Sequence, residues 1–123
     1  AQGGDCVENN GSGGESIWGK KFKDDAPGLK VKLDQRGLIA MGNSGKHSNT
    51  SQFFFTLGDV SRLSGKHVVF GRVVGGDEVL GLMEQCAAAD GDESGKPTHA
   101  VRIVDCGVCP LHEPEPMAWV RHP

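Results

Sequence analysis

Ser51-Gln52-Phe53-Phe54-Phe55 is the stretch that decides how this chain reads. It holds three of the five phenylalanines in a row, after a polar run and before Thr56-Leu57-Gly58. A short aromatic run favours a strand, either buried on both faces or lining a pocket. Side chains alternate along a strand, so Phe53 and Phe55 point one way while Gln52 and Phe54 point the other. The second face sets an apolar ring beside an amide two residues away, a pairing suited to gripping something both greasy and peptide-like. Taken alone, the stretch favours the plainer reading of a core strand with Gln52 at a solvent edge.

Outward from it, Gly37 to Gly42 (Gly-Leu-Ile-Ala-Met-Gly) is a short apolar strand bounded by glycines. Asn43 to Thr50 then forms a polar loop with two asparagines, three small hydroxyl residues and His47. Such loops bond to themselves through Asn and Ser side chains and leave backbone groups at the rim of a site, or serve as ordinary connections. Asp59 to Lys66 turns the chain through Gly65, and His67 to Val74 is the clearest strand. Asp77 to Ala89 carries the helical spacing: Asp77 as cap, Glu78 at the positive end, and Val79, Met83 and Cys86 in one stripe widened by Leu80 and Leu82. Asp90 to Pro97 is a turn, and Ala100 to Cys106 alternates as a final strand with Val101 and Ile103 facing the core.

On the other side, residues 1–19 are too rich in glycine for regular structure and read as turns over a core edge anchored by Trp18. A phosphate-cradling loop would need a preceding strand, a following helix and a placed lysine, and none of these is present. Lys20 to Arg36 is a charged, exposed excursion broken at Pro27-Gly28.

A chain of 123 residues makes about one domain. A net charge of −3 without a basic cluster argues against nucleic-acid or membrane-surface binding. No apolar run approaches the ~20 residues of a bilayer span. Nineteen glycines and no tyrosine suit a β-rich domain with tight turns. Cys6, Cys86, Cys106 and Cys109 are too few and too uneven for a disulfide scaffold, which points to a reducing, intracellular compartment, cytoplasm or nucleus. Cys106-Gly107-Val108-Cys109 with His112 is an incomplete zinc spacing, and it follows a strand rather than opening a helix as redox pairs do. The incomplete spacing leaves no metal assigned, and no nucleophile elbow supports a hydrolase.

Five blocks together carry a resemblance: Gln2-Gly3-Gly4-Asp5, Asn10-Gly11-Ser12-Gly13-Gly14, Gly37 to Asn43, Ser51-Gln52-Phe53-Phe54, and Leu63-Ser64-Gly65-Lys66-His67-Val68-Val69-Phe70-Gly71. In this order and spacing they resemble the cyclophilin family of peptidyl-prolyl isomerases over residues 1–107. The resemblance implies a mostly β fold, an antiparallel eight-stranded barrel present here incompletely, with one helix at about 77–89 and a Pro-rich tail at 108–123. It implies that Phe54 floors the pocket for a substrate proline, with Leu63 and His67 closing it. Gln52 and the backbone at Gly42-Asn43 would bind the preceding residues. Gln2 would orient the catalytic arginine, and Gly11, Ser12, Ser44 and Lys21 would border a secondary pocket selecting upstream residues.

The implied activity is isomerisation of X-Pro bonds in peptides and proteins, with no cofactor. Rotation breaks amide resonance over a barrier of ~20 kcal/mol, so a site needs only to hold the twisted imide better than either planar form. The family's catalytic arginine precedes the Gln-Gly-Gly-Asp block and is absent from this sequence. Arg36, Arg62, Arg72 and Arg102 stand in other blocks and do not replace it. About a third of the family fold is expected to lie upstream, to come from a second chain, or to have been lost in a non-catalytic subunit of a larger assembly. An open half-barrel is expected not to fold stably alone. Arg62 replaces a family tryptophan linked to cyclosporin binding, which implies weak drug affinity.

Overall fold

The computed structural model describes residues 1–87 and 95–109. Strands β1 (Gln2–Gly3), β2 (Leu38–Met41), β3 (Phe53–Phe55) and β4 (Val69–Arg72) form one antiparallel sheet in the order β1-β3-β2-β4. The helix α1 (Ala26–Lys30) precedes β2, a single 3-10 turn (Ser61–Leu63) precedes β4, and α2 (Asp77–Gln85) follows it. The molecule is therefore mostly sheet with few helices.

The phenylalanine strand is central, paired on both sides. Phe54 stands opposite Ala40 on β2 and opposite Gln2 on β1. The alternation expected along it is present: the rings of Phe53 and Phe55 meet edge to face at 5.7 Å, while Phe54 meets a different partner, His67. Leu33, Leu38 and Ala40 form the small core, with Phe54, Val60, Leu63 and Val69 packed against it. Thr56 is buried in the same layer, and its hydroxyl accepts the Leu38 amide (2.8 Å) and donates to the Gln35 carbonyl (2.7 Å).

Several expectations need correction. Pro27-Gly28 does not simply break the chain, because it lies in the first turn of α1. Asp25 caps that helix through the Gly28 amide, and a proline's fixed φ suits a first turn. Gly28 is buried because a Cβ there would lie 2.6 Å from Val68 Cγ1 and 2.7 Å from the Val69 carbonyl oxygen. Gln2–Gly3 is a paired strand inside a region read as turns. Trp18 is no core anchor: it is 62% exposed and meets Phe22 edge-on, while Ile17 is 92% exposed.

The strand at 67–74 shortens to Val69–Arg72. Residues 100–106 form no strand, and Val101 and Ile103 are exposed rather than core-facing. Their alternation finds no ladder, since β1 and β4 are the sheet's edges among the described residues and neither takes them as a partner; an extended segment needs a neighbour's backbone groups to become a strand.

At α2 the cap is Gly76, in the left-handed region (φ 82°), and not Asp77, whose carboxylate pairs instead with Arg36. Of the expected stripe only Leu80 is fully buried, while Val79 and Leu82 are more than half exposed. The helix ends at Gln85; Ala88 and Ala89 of the expected span, like residues 110–123 of the tail, lie outside the described residues. Among the described residues no helix is long and apolar enough to cross a membrane.

Candidate functional site: a hollow over Phe54

Antiparallel pairing puts opposed side chains on one face, so Gln2, Phe54 and Ala40 share the face that also carries Gln52 two residues from Phe54. Ala40 is small and fully buried, which leaves room above the Phe54 ring. A hollow of about 360 Å³ opens there, lined by Gln2, Gly42, Asn43, Phe54, Leu63 and His67, with Ala1, Phe55, Thr56 and Val60 completing the wall. That is a volume suited to a small ligand or one or two side chains.

The wall is stiff. His67 meets Phe54 edge to face at 5.3 Å and 85°, and its Nδ1 lies 2.9 Å from the Met41 carbonyl oxygen. A carbonyl only accepts, so Nδ1 donates the hydrogen of this bond. Asn43 Nδ2 donates to the Lys66 carbonyl (2.8 Å) and its Oδ1 accepts the Gly45 amide, so this side chain ties the β2 exit to the β4 entrance. Gly42 is buried between Gln52 Cβ and Gln2 Nε2, where an added Cβ would stand 3.2 Å and 3.6 Å from them.

The two glutamines form one network. Gln2 Nε2 donates to Gln52 Oε1 (2.5 Å), and Gln52 Nε2 donates to the carbonyls of Gly11 (2.9 Å) and Gly13 (2.6 Å). Both Nε2 hydrogens of Gln52 are thus taken. Gln52 also does not line the hollow directly; it positions Gln2, which does.

The loop that Gln52 holds is built around Asp5, a residue quoted in a motif but given no role. Its carboxylate accepts five backbone amides: Glu8 and Gly11 at 2.9 Å, Gly13 at 3.0 Å, Val7 and Asn10 at 3.2 Å. These bonds, that from Glu8 first, hold the carboxyl well below the usual range. An acid followed by a glycine- and asparagine-rich run was the available signal. Gly13 has no room for a side chain, since a Cβ would meet Asp5 Oδ1 at 2.6 Å.

Of the remaining residues proposed from sequence, Gly11, Ser12, Lys21, Ser44 and Arg62 do not line the hollow. Lys21 Nζ donates to Ser44 Oγ at 3.4 Å, beside Asn43. The Ser12 hydroxyl donates to Asn10 Oδ1 (2.6 Å), within the Asp5 loop. Arg62 is exposed in the turn before Leu63. A second clamp backs Ser44: Asp24 accepts the His47 amide (2.9 Å) and Asn49 Nδ2 (2.8 Å), chiefly the former bond holding its carboxyl low. None of the four arginines in the described residues lines the hollow, and Arg36 is tied to Asp77, Glu84 and the Leu57 carbonyl.

An apolar floor, a ring wall and an amide rim agree with what comparison with known proteins finds. The family profile described as cyclophilin type peptidyl-prolyl cis-trans isomerase/CLD matches residues 1–108. The chain belongs to the cyclophilin-type peptidyl-prolyl cis-trans isomerase family. It is similar to the NK-tumor recognition protein of Mus musculus and to that of Homo sapiens, each 48% identical over 107 residues, 87% of this chain. The chain spans about 7% of the length of these relatives.

Proposed function

We infer that the hollow over Phe54 seats the proline of an X-Pro segment, and that the domain serves peptidyl-prolyl cis–trans isomerisation on peptides or proteins, assisting folding or conformational switching. The observation that carries this is the Phe54 floor enclosed by Leu63 and His67 with Gln2 and Asn43 at its rim. The ring of a proline would lie on Phe54. The Asn43 side chain is committed to its own loop, so its main chain would bond the residue before the proline, and Gln52 would act by holding Gln2 in place.

Turnover asks for more than seating. As resonance is lost the proline nitrogen regains a lone pair, and a fixed donor aimed at it stabilises the twisted form, each ~1.4 kcal/mol of preference giving a factor of ten. An arginine from outside these residues would be that donor. The test is a protease-free isomerisation assay on an X-Pro peptide, run with this chain and with an upstream extension carrying the family's catalytic arginine. A rate gain only in the extended form is the expected result; no gain in either would overturn the enzyme reading.

The second reading, a scaffold subunit that holds a proline segment of a partner without turning it over, is favoured by the absence of an arginine at the hollow among the described residues. It predicts a stoichiometric partner in pull-downs whose retention falls with Phe54→Ala. An active, partner-free monomer would exclude it.

A further inference from the structure

The loop that leaves the hollow at Asn43 carries a histidine to which the prolyl site gives no role. His47 holds its backbone in the left-handed region (φ 58°), which a residue with a Cβ keeps only where the surrounding bonds fix it. A reciprocal pair does so here. The His47 amide donates to Asp24 Oδ2 (2.9 Å), and the Asp24 amide donates back to His47 Nδ1 (3.0 Å). An amide N–H only donates, so Nδ1 offers a lone pair and the ring is neutral, with its hydrogen on Nε2. Resting on the reading of the Phe54 hollow as a prolyl site, we propose that His47 is a positioning residue for that site: neutral, it locks the 43–48 loop and the Asn43 rim; protonated, it releases the Asp24 amide and loosens the rim, so that peptide binding falls in acid.

The bonds between His47 and the hollow are continuous. Asp24 is the fixed half of the pair: its side chain is 3% exposed, it also accepts Asn49 Nδ2 (2.8 Å), and Asn49 is bridged to Phe22. His47 is the half open to water, its side chain 44% exposed. Next to it, Ser48 Oγ accepts the Ser44 amide (2.9 Å) and donates to the Gly45 carbonyl (2.5 Å). The Gly45 amide donates to Asn43 Oδ1 (3.2 Å), and Asn43 Nδ2 reaches the Lys66 carbonyl (2.8 Å). Asn43 itself lines the hollow. A loop braced in this way moves as a unit when its far end is freed.

Protonation places a hydrogen on Nδ1, where the Asp24 amide hydrogen already points. Two hydrogens cannot share that position. A carboxylate acceptor, Asp24 Oδ2, lies 3.4 Å from Nδ1. The ring therefore turns from the amide to the carboxylate, which strips the Asp24 amide of its acceptor and leaves the left-handed backbone of His47 with one of its two ties. Asp24 remains ionised to receive it, because the His47 amide above all holds that carboxyl low. The other charge beside the pair is Lys46, adjacent to His47 in the chain and acting on Asp24 as well; it repels an imidazolium. Lys23 and Asp25 flank Asp24 in sequence, and Lys21 reaches the Ser44 hydroxyl.

Histidine changes charge between about pH 5 and 8, so the experiment measures the affinity of an uncharged fluorescent X-Pro tetrapeptide, by anisotropy, at about pH 7.5 and about pH 5.5. It compares the native chain with His47→Asn and His47→Ala. Asparagine tolerates the left-handed region and offers Oδ1 to the Asp24 amide, but has no proton to gain. The native chain should bind the probe roughly three- to tenfold more weakly in acid, the worth of about one hydrogen bond. His47→Asn should bind equally at both pH values, and His47→Ala, which has no acceptor at either, should bind weakly at both. His67 is present in every form, so its own response cancels in the comparison. An equal fall in the native and asparagine forms, or a fall in neither, would overturn the proposal and leave the prolyl site standing. If no form binds the probe at either pH, the prolyl-site reading fails and this proposal with it. Amide resonances give an independent check: those of Asp24 and Asn43 should shift together with one midpoint in the native chain and hold still in His47→Asn. An Asn43 resonance that shifts alike in both would contradict the coupling.

Discussion

At the scale of single residues, the hollow depends on side chains that support one another more than on any one of them. The Gln52 side chain makes three hydrogen bonds, two of them as donor to loop carbonyls. Gln52→Glu replaces that donor with a charged acceptor facing two carbonyl oxygens, and should cost about 1–3 kcal/mol of stability. A urea midpoint and amide exchange at Gly11 and Gly13 would read it; an unchanged midpoint would show that Gln52 does not hold the loop. Phe54 lies half-buried against the core cluster, so its loss touches both fold and site. Phe54→Leu is the better probe: it keeps an apolar floor, removes the ring contact with His67, and should weaken X-Pro peptide binding several-fold with a stability loss under about 1.5 kcal/mol. Arg62, exposed beside Leu63, offers a gain-of-binding test: Arg62→Trp should raise cyclosporin affinity at least tenfold by calorimetry.

Elements were legible to the degree that their own residues dictated them. β2 and β3 emerged because apolar and aromatic runs bounded by glycine or polar loops specify strands locally, and the alternation at Phe53 to Phe55 followed from the pleat alone. β1 was hidden, since Gln2–Gly3 becomes a strand only by pairing with Phe53 and Phe54, some fifty residues away. The segment at 100–106 failed for the converse reason, having the pattern of a strand without a ladder to join. α1 was missed because Pro27-Gly28 looks like punctuation, although only glycine fits beneath Val68. Gly28→Ala should therefore destabilise by about 1–3 kcal/mol despite alanine's better helix propensity, as overpacking does elsewhere. The acid-held loops make a further prediction. Asp5 and Asp24 titrate below their unfolded values, so their stabilisation is complete above about pH 4 and is lost as pH falls through the lower folded values. Thermal melts should decline steeply below pH 4, and Asp5→Asn should flatten that decline; parallel curves would contradict it.

For the molecule as a whole, the family was readable because its motifs are local, whereas sheet order was not, because β3 inserting between β1 and β2 is a tertiary fact. Among the described residues the core is correspondingly slight, with Leu33, Leu38, Ala40, Val68 and Leu80 as its buried apolar members. Phe70 on the edge strand β4 is 54% exposed and lines a groove shared with Val31 and Pro27. An edge of this kind pairs with other chains unless it is covered or charged. Concentration-dependent association is the expected behaviour of the isolated chain, and Phe70→Lys should suppress it in sedimentation experiments; association unaffected by that change would locate the contact elsewhere.

Gln2 sits on the outermost and shortest strand, yet its amide reaches the glutamine that braces the loop opposite. Force applied to that first strand is thereby transmitted through Gln52 to the Gly11–Gly13 loop as well as to the wall of the slot. Whatever neighbour fastens or tugs the strand would adjust the aperture like a drawstring, without touching its floor.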